Sequence, residues 1–280
     1  MPELPEVETV CRGLRPVLEG AEITRLLTRR EGLRRPFPLD LAQRLVGRRV
    51  AGVSRRAKYI LISMDGGDAS VLIVHLGMSG RVKVDLPGCD HREPGRHDHL
   101  IIQTRDGAQI MLNDARRFGL VALADAASLA DHPLLGHLGP EPFSDGLDAA
   151  YLLGACQKRA TSMKMLLMDQ QVIAGLGNIY VSESLYRAGI SPRLKAARLS
   201  RKRAEALIEA LRAVLEEAIL AGGSSLRDHA GINGELGTFQ HGFKVYGRAD
   251  EACLADDCGQ SIKRIIQAGR ATFYCPGCQR

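Results

Sequence analysis

Residues 253–278 read CLADDCGQSIKRIIQAGRATFYCPGC, the densest run of cysteine in the chain. Cys253 and Cys258 form one close pair, Cys275 and Cys278 another, and sixteen residues separate them, so each pair can wrap one side of a tetrahedral ion. The segments IKRIIQ and RATFYC have strand composition on either side of Ala268 and Gly269, which predicts a β-hairpin holding the two knuckles together. Four thiolates leave no position for water, so one structural Zn2+ fits and Lewis-acid chemistry does not. Two disulfides would use the same cysteines in an oxidising compartment. Lys263, Arg264 and Arg270 make the hairpin basic, either a solvated surface or a contact for phosphate.

The remaining cysteines of the seven, Cys11, Cys89 and Cys156, are scattered, whereas the other four crowd together, and that clustering in a reducing compartment reads as metal binding rather than disulfides. No apolar run is long enough to cross a membrane, and the first residues lack signal-peptide order, so a cytoplasmic protein is expected. With 280 residues the chain can bury a sizeable core in more than one domain. A formal net charge of +6 favours anionic partners, although many basic enzymes have none.

Upstream, Val7, Val10, Cys11, Leu14 and Leu18 follow helical spacing after Pro5, with Pro16 and Gly20 expected to limit the helix. From Glu22 to Ala124 short β-rich runs take over: YILISM, VLIVHL, RVKVDL, LIIQT and QIMLN. They predict an all-β sandwich with one leading helix. Beyond His132 the pattern turns helical, most clearly after Ser200, where Leu207, Leu211, Val214 and Ala218 share a face and Gly222 follows the end. GLGNIY places Gly175 and Gly177 just before a helix starting near Asn178, as an anion-binding turn or an ordinary interhelical one. Residues 228–242, polar and glycine-rich, read as a loop. The expected class is α+β multidomain. A β-sandwich domain with its leading helix is expected over 1–131, a helical domain over 132–228, a linker over 229–243 and a zinc ribbon over 244–280.

The opening MPELPEVE carries the chemistry. Methionine is usually clipped ahead of a small residue, which would leave Pro2 as a secondary amine. An α-amino group titrates near about 7.7–8.0, against about 10.4 for lysine, so far more of it is unprotonated at neutral pH. Such an amine can attack an anomeric carbon and pass to an iminium ion, with adjacent Glu3 placed to move protons. Taken alone, MPE is also an unremarkable amino terminus.

Together, MPELPEVET, RRAKYIL, HLGMSG, DARRFG, GLGNIYVSE and RATFYCPGCQ, in this order and across the whole chain, closely resemble bacterial formamidopyrimidine-DNA glycosylases. The opening PELPEV is like that branch rather than endonuclease VIII, which has glycine where Leu4 stands. The resemblance implies a helix-two-turn-helix domain between sandwich and zinc ribbon, and a monomer acting on duplex DNA bound between domains in the nucleoid. Pro2 would be the nucleophile, Glu3 the proton donor, and Lys58 a phosphate contact that assists proton transfer, with Arg270 placed alongside them. Oxidised purines would be released and the strand cut by β,δ-elimination. Met78, Arg116 and Phe118 match the residues that fill the space vacated by an extruded nucleotide. His75, His97, Arg117 and Asn178 complete the DNA-contacting set.

Two departures stand out. Ala115 replaces the proline usual in DARRFG, and the first knuckle is C-x4-C rather than C-x2-C. A lesion-contacting loop is expected within 230–242. Oxidised-pyrimidine excision, noncatalytic binding of damaged DNA, and a zinc-ribbon transcription or RNA-binding factor are the competing readings, the last leaving Pro2, Glu3 and Lys58 unexplained.

Overall fold

The computed structural model describes residues 1–66, 69–224 and 237–280. The chain divides into two compact units, residues 1–137 with 221–238 and residues 138–220 with 239–280.

The first unit begins with helix α1, Leu4–Leu18, whose buried face carries Val7, Val10, Cys11, Leu14 and Leu18 as their spacing predicts. Pro16 lies inside this helix and does not end it. In the last turn its missing N–H removes one bond, to the carbonyl of solvent-exposed Arg12. Eight strands follow among the described residues: β1 Ile23–Thr28, β2 Val50–Arg56, β3 Tyr59–Met64, β4 Ser70–His75, β5 Arg81–Asp85, β6 Asp98–Thr104, β7 Gln109–Asn113 and β8 Leu120–Asp125. A short helix α2, Leu41–Leu45, precedes β2.

These strands make two antiparallel sheets, in the orders β1-β6-β7-β5 and β2-β3-β4-β8. Their inner faces meet in one apolar core: Ile60, Ile62, Leu72 and Val74 from one sheet, Val82, Leu100, Ile102 and Ile110 from the other, with Leu14 of α1 beside them. Strands β1, β2 and β8 lack a clear alternating signature; β1 buries only its first residue fully. Helix α1 is tied to β2 by polar bonds as well. The Arg15 Nε donates to the Val53 carbonyl at 3.1 Å and the Val53 N–H donates to Glu19 Oε1 at 2.9 Å.

The second unit holds α3 Ala149–Cys156, α4 Met163–Leu167, α5 Asn178–Arg187 and α6 Arg201–Leu220, then the hairpin β9 Lys263–Gln267 and β10 Arg270–Tyr274. Ser200 caps α6, its Oγ accepting the Arg203 N–H at 3.4 Å, and Leu207, Leu211, Val214 and Ala218 are buried. In the hairpin Gln267 pairs with Arg270, so Ala268 and Gly269 form a two-residue turn with φ of 45° and 75°. Positive φ at both positions is what the right-handed twist of the flanking strands requires.

Beyond α6 the chain re-enters the first unit. Ser224 bridges Thr238, and the Thr238 N–H donates to the Ala221 carbonyl at 3.0 Å. A Cβ on Gly237 would stand 2.3 Å from the Gly223 carbonyl oxygen, so the two passes touch backbone to backbone. Residues 225–236 lie outside the described residues, and with them most of the loop expected to contact the lesion. No described helix is long and apolar enough to cross a membrane.

Candidate functional site

In the first unit the amino terminus is held firmly. Pro2 is buried and Glu3 is 3% exposed. Glu3 is the N-cap of α1 and forms a reciprocal capping box with Glu6: its N–H donates to Glu6 Oε2 at 2.8 Å while its side chain accepts the Glu6 N–H. Glu6 also accepts both the N–H and the hydroxyl of Ser224 on Oε1, at 2.8 and 2.9 Å. One buried carboxylate thus holds both the turn that carries the nucleophile candidate and Ser224. With Met1 in place the Pro2 nitrogen is an amide; its removal turns that nitrogen into the amine.

Lys58 sits in the two-residue turn joining β2 to β3, where Arg56 pairs with Tyr59. Ala57 precedes it at φ 53°, a conformation glycine would take without strain. Arg55 links this turn to α1, donating from Nη1 to the Ala57 carbonyl at 2.9 Å and from Nε to Glu8 Oε2 at 3.2 Å. An ordinary strand-edge lysine would be solvated, whereas Lys58 is 7% exposed. Across the sheet Tyr59 pairs with His75, their rings 4.9 Å apart. Burial, then the charges of Lys58 and Arg34, press the His75 imidazole down to about 4. Its Nδ1 accepts the Gly77 N–H at 3.0 Å, so the neutral ring carries its proton on Nε2 and remains a donor.

Two loops beside His75 bring Met78, Arg116 and Phe118 forward. Met78 is 42% and Phe118 43% exposed, an unusual state for large apolar side chains, and the Arg116 guanidinium lies 4.7 Å from the Phe118 ring centre. Buried Asp114 locks the loops together: Oδ1 accepts the Ser79 hydroxyl at 2.7 Å and Oδ2 the Gly119 N–H at 2.7 Å. Gly77 allows the close approach, since a Cβ there would fall 2.3 Å from the Phe118 carbonyl carbon. Arg117 follows at φ 61°. His97 belongs to the same neighbourhood, its carbonyl accepting the Asp114 N–H at 2.9 Å.

In the second unit Asn178 opens α5 and donates from Nδ2 to the Ala271 carbonyl at 2.9 Å. Fully buried Lys164 reaches the same carbonyl at 2.9 Å and the Thr272 hydroxyl at 2.6 Å. Arg270, immediately before this doubly held carbonyl, projects from the hairpin turn and is exposed. Glu183 of α5 accepts the N–H groups of Lys244, Val245 and Tyr246 at 2.8–3.0 Å. The four cysteine sulfurs of 253, 258, 275 and 278 lie within 4.8 Å of one another, a donor set able to hold one metal ion.

The anchors Asp114, Ser79, Glu6, Lys164 and Glu183 escape a reading of the sequence alone. An acidic residue whose partners stand far along the chain, or a lysine inside a short helix, has no local spacing to betray it. Only Gly119 at the end of DARRFG, with Gly77 and Gly80 in HLGMSG, hints that the Asp114 loop is tightly turned.

A family model described as "Formamidopyrimidine-DNA glycosylase N-terminal domain" matches residues 1–121, and one described as "Formamidopyrimidine-DNA glycosylase H2TH domain" matches residues 138–230. The chain is 52% identical to a formamidopyrimidine-DNA glycosylase of Azorhizobium caulinodans and 52% identical to one of Paracoccus denitrificans, covering 100% of each and of itself. A Lactococcus lactis FPG mutant, solved in complex with a Fapy-dG containing DNA, matches with TM-score 0.88 and 34% identity over 100% of both chains. The FPG protein of Thermus thermophilus matches with TM-score 0.86 and 36% identity over 99% of this chain and 98% of that one.

Proposed function

The chain belongs to the formamidopyrimidine-DNA glycosylase family, and from that premise we propose that it removes oxidised purines from duplex DNA and then cuts the strand at the abasic site. The Lactococcus lactis relative has been solved with Fapy-dG and with abasic DNA, which supports both halves of the reading. The observation that carries it is the fixation of residues 2–6, where a capping box and the Glu6–Ser224 bonds hold Pro2 and Glu3 in one place. Preorganised attack replaces a bimolecular encounter by an oriented one.

Once Met1 is gone, the Pro2 nitrogen attacks C1′ and the bond to the purine breaks, the base leaving with its electron pair and taking up the proton that the attacking nitrogen sheds. Glu3 gives a proton to O4′ as the C1′–O4′ bond opens, and the nitrogen's lone pair forms the iminium. Loss of a C2′ proton then expels the 3′ phosphate, and a second elimination expels the 5′ phosphate. Hydrolysis of the iminium frees the amine. Lys58 and the neutral Nε2–H of His75 bind phosphate on the first unit; Arg270 and the start of α5 at Asn178 do so on the second. Met78, Arg116 and Phe118 occupy the vacated stack, Phe118 by stacking and Arg116 by hydrogen bonds to the orphaned base. Zn2+ held by the four cysteines keeps the hairpin folded.

Borohydride reduction tests this directly. Abasic duplex should become covalently attached to the wild-type protein and not to Pro2→Gly if Pro2 is the only competent amine, and intact mass should show the loss of one methionine. Full trapping by Pro2→Gly, or excision by protein that retains Met1, would remove Pro2 from the mechanism. The same Lactococcus lactis protein has been solved with an oxidized pyrimidine containing DNA, so cleavage of 8-oxoguanine duplex should be compared with thymine glycol duplex. A preference for the pyrimidine would reassign the substrate class.

A further inference from the structure

Behind the loop that carries Arg116 and Phe118, the first unit has a second basic feature. Two adjoining depressions share Arg30 and Arg117. One is walled by Arg96, His97 and His99, the other by Arg34 and Arg35. Glu31 is the one acidic residue lining either.

The walls are built rather than loosely draped. Residues 31–37 fold back on themselves: Gly32 bridges Pro36, the Leu33 N–H donates to the Arg35 carbonyl at 3.0 Å, and the Phe37 N–H donates to the Glu31 carbonyl at 2.8 Å. Phe37 is buried in the sandwich core. The Arg34 N–H donates to the Gly119 carbonyl at 3.1 Å, joining this fold to the loop of Phe118. On the other wall Arg29 is committed to the chain, donating from Nη1 to the Pro94 carbonyl at 3.0 Å and the Gly95 carbonyl at 2.5 Å. These bonds set the backbone from which Arg96 and His97 project. By contrast, the guanidinium groups of Arg30, Arg35 and Arg96 are exposed and have no hydrogen-bond or ion-pair partner among the described residues. Like charges gathered on a fixed frame with almost no counter-charge destabilise the unliganded protein and favour a polyanion.

We propose that this groove binds successive phosphates of the DNA strand opposite the lesion, through Arg30, Arg35 and Arg96. The proposal rests on the function given above. On that function Arg116 would meet the orphaned base of the opposite strand, and Arg117, the next residue, lines both depressions, so the backbone that enters the groove would be the one carrying the orphaned base. Contacts of this kind fix register on the duplex without reading sequence.

The test is the salt dependence of binding to a lesion-containing duplex, compared between the wild-type protein and Arg30→Ala/Arg35→Ala/Arg96→Ala. Each lost phosphate contact should flatten the slope of log K against log salt by about 0.9, so the triple variant should be shallower by roughly two to three. Neutral methylphosphonates placed in the undamaged strand should weaken the wild-type protein and add nothing to the variant. The melting temperature of the free variant should stay the same or rise at low salt, a sign that a structural role would reverse. An unchanged slope, or methylphosphonate sensitivity shared by variant and wild type, overturns the groove alone. A wild-type protein that bound no duplex would overturn the groove and the proposed function together.

Discussion

Between the two sheets of the first unit, Ile60, Leu72, Val74, Leu100 and Ile102 are each no more than 5% exposed and belong to one continuous cluster that also takes in α1 and α2. Around the hairpin of the second unit the fully packed set shrinks to Val245, Ile262, Phe273 and Cys275, and Cys275 is itself one of the four sulfur donors. Burial of apolar surface is the dominant favourable term in folding, and the hairpin has little of it. Its shape depends instead on point attachments: the sulfur cluster, Lys164 and Asn178 on the Ala271 carbonyl, and Glu183 on three N–H groups. A core with many small contributions degrades gradually, whereas a structure held at a few points fails when one is lost. The phosphate-binding candidates fall on both kinds of support, Lys58 and His75 on the sandwich and Arg270 on the hairpin.

The sharpest way to break this contrast is to remove the metal. Chelation, or Cys275→Ser, should abolish amide-exchange protection over 263–274 while the strands β2 to β8 stay protected, because apparent zinc-binding energies of about 10–16 kcal/mol are also folding energy in such sites. Equal loss in both regions would mean the sandwich leans on the hairpin. Next in size, Leu72→Ala in the middle of the core should lower unfolding free energy by about 2–5 kcal/mol in urea titration, leaving metal content at one ion per chain. Loss of the metal in that variant would contradict independent support.

His75 gives a test in pH. Its folded value near 4 lies below the ordinary 6.5, so the folded state holds fewer protons between these limits. Stability is therefore undiminished above pH 6.5 and falls as the pH drops toward 4, by up to about 3 kcal/mol. His75→Gln should flatten that acid limb for the sandwich, and an unaltered limb would show that the ring is not buried as neutral imidazole. Smallest is Asp114→Asn, which keeps volume but disturbs the bonds to Ser79 and Gly119. It should cost about 1–3 kcal/mol. Single-turnover base excision should slow more than the melting temperature falls, because the loops bearing Met78 and Phe118 lose their lock. A rate that tracked stability alone would confine Asp114 to folding.

How much of this was legible beforehand follows the same division. YILISM is strand β3 residue for residue, and IKRIIQ and RATFYC flank the Ala268-Gly269 turn as composition predicts. Helix α6 and the cysteine cluster are equally plain, since periodicity and spacing are local properties. ITRLLT of β1 gives little signal because its exposed edge alternates poorly, and α2 and α4, each of five residues, are too short for a periodic pattern. The anchors were invisible for another reason. Ser79 and Asp114 are 35 positions apart, Lys164 and Thr272 are 108 apart, and Glu6 and Ser224 are 218 apart, distances over which no spacing rule operates. Pro2, Glu3 and Lys58 could be singled out from residue type and resemblance, but their burial and the turn that presents Lys58 could not.

The stem at Ala221–Ser224 and Thr238 has a practical meaning for protein engineering. Its two passes are stapled to each other by the Ala221–Thr238 bond and to helix α1 by Glu6, whatever residues lie between. Insertions made between Ser224 and Thr238 would therefore start and finish at points tied to each other and to α1, so the length of chain between them can be varied without touching residues 2–6.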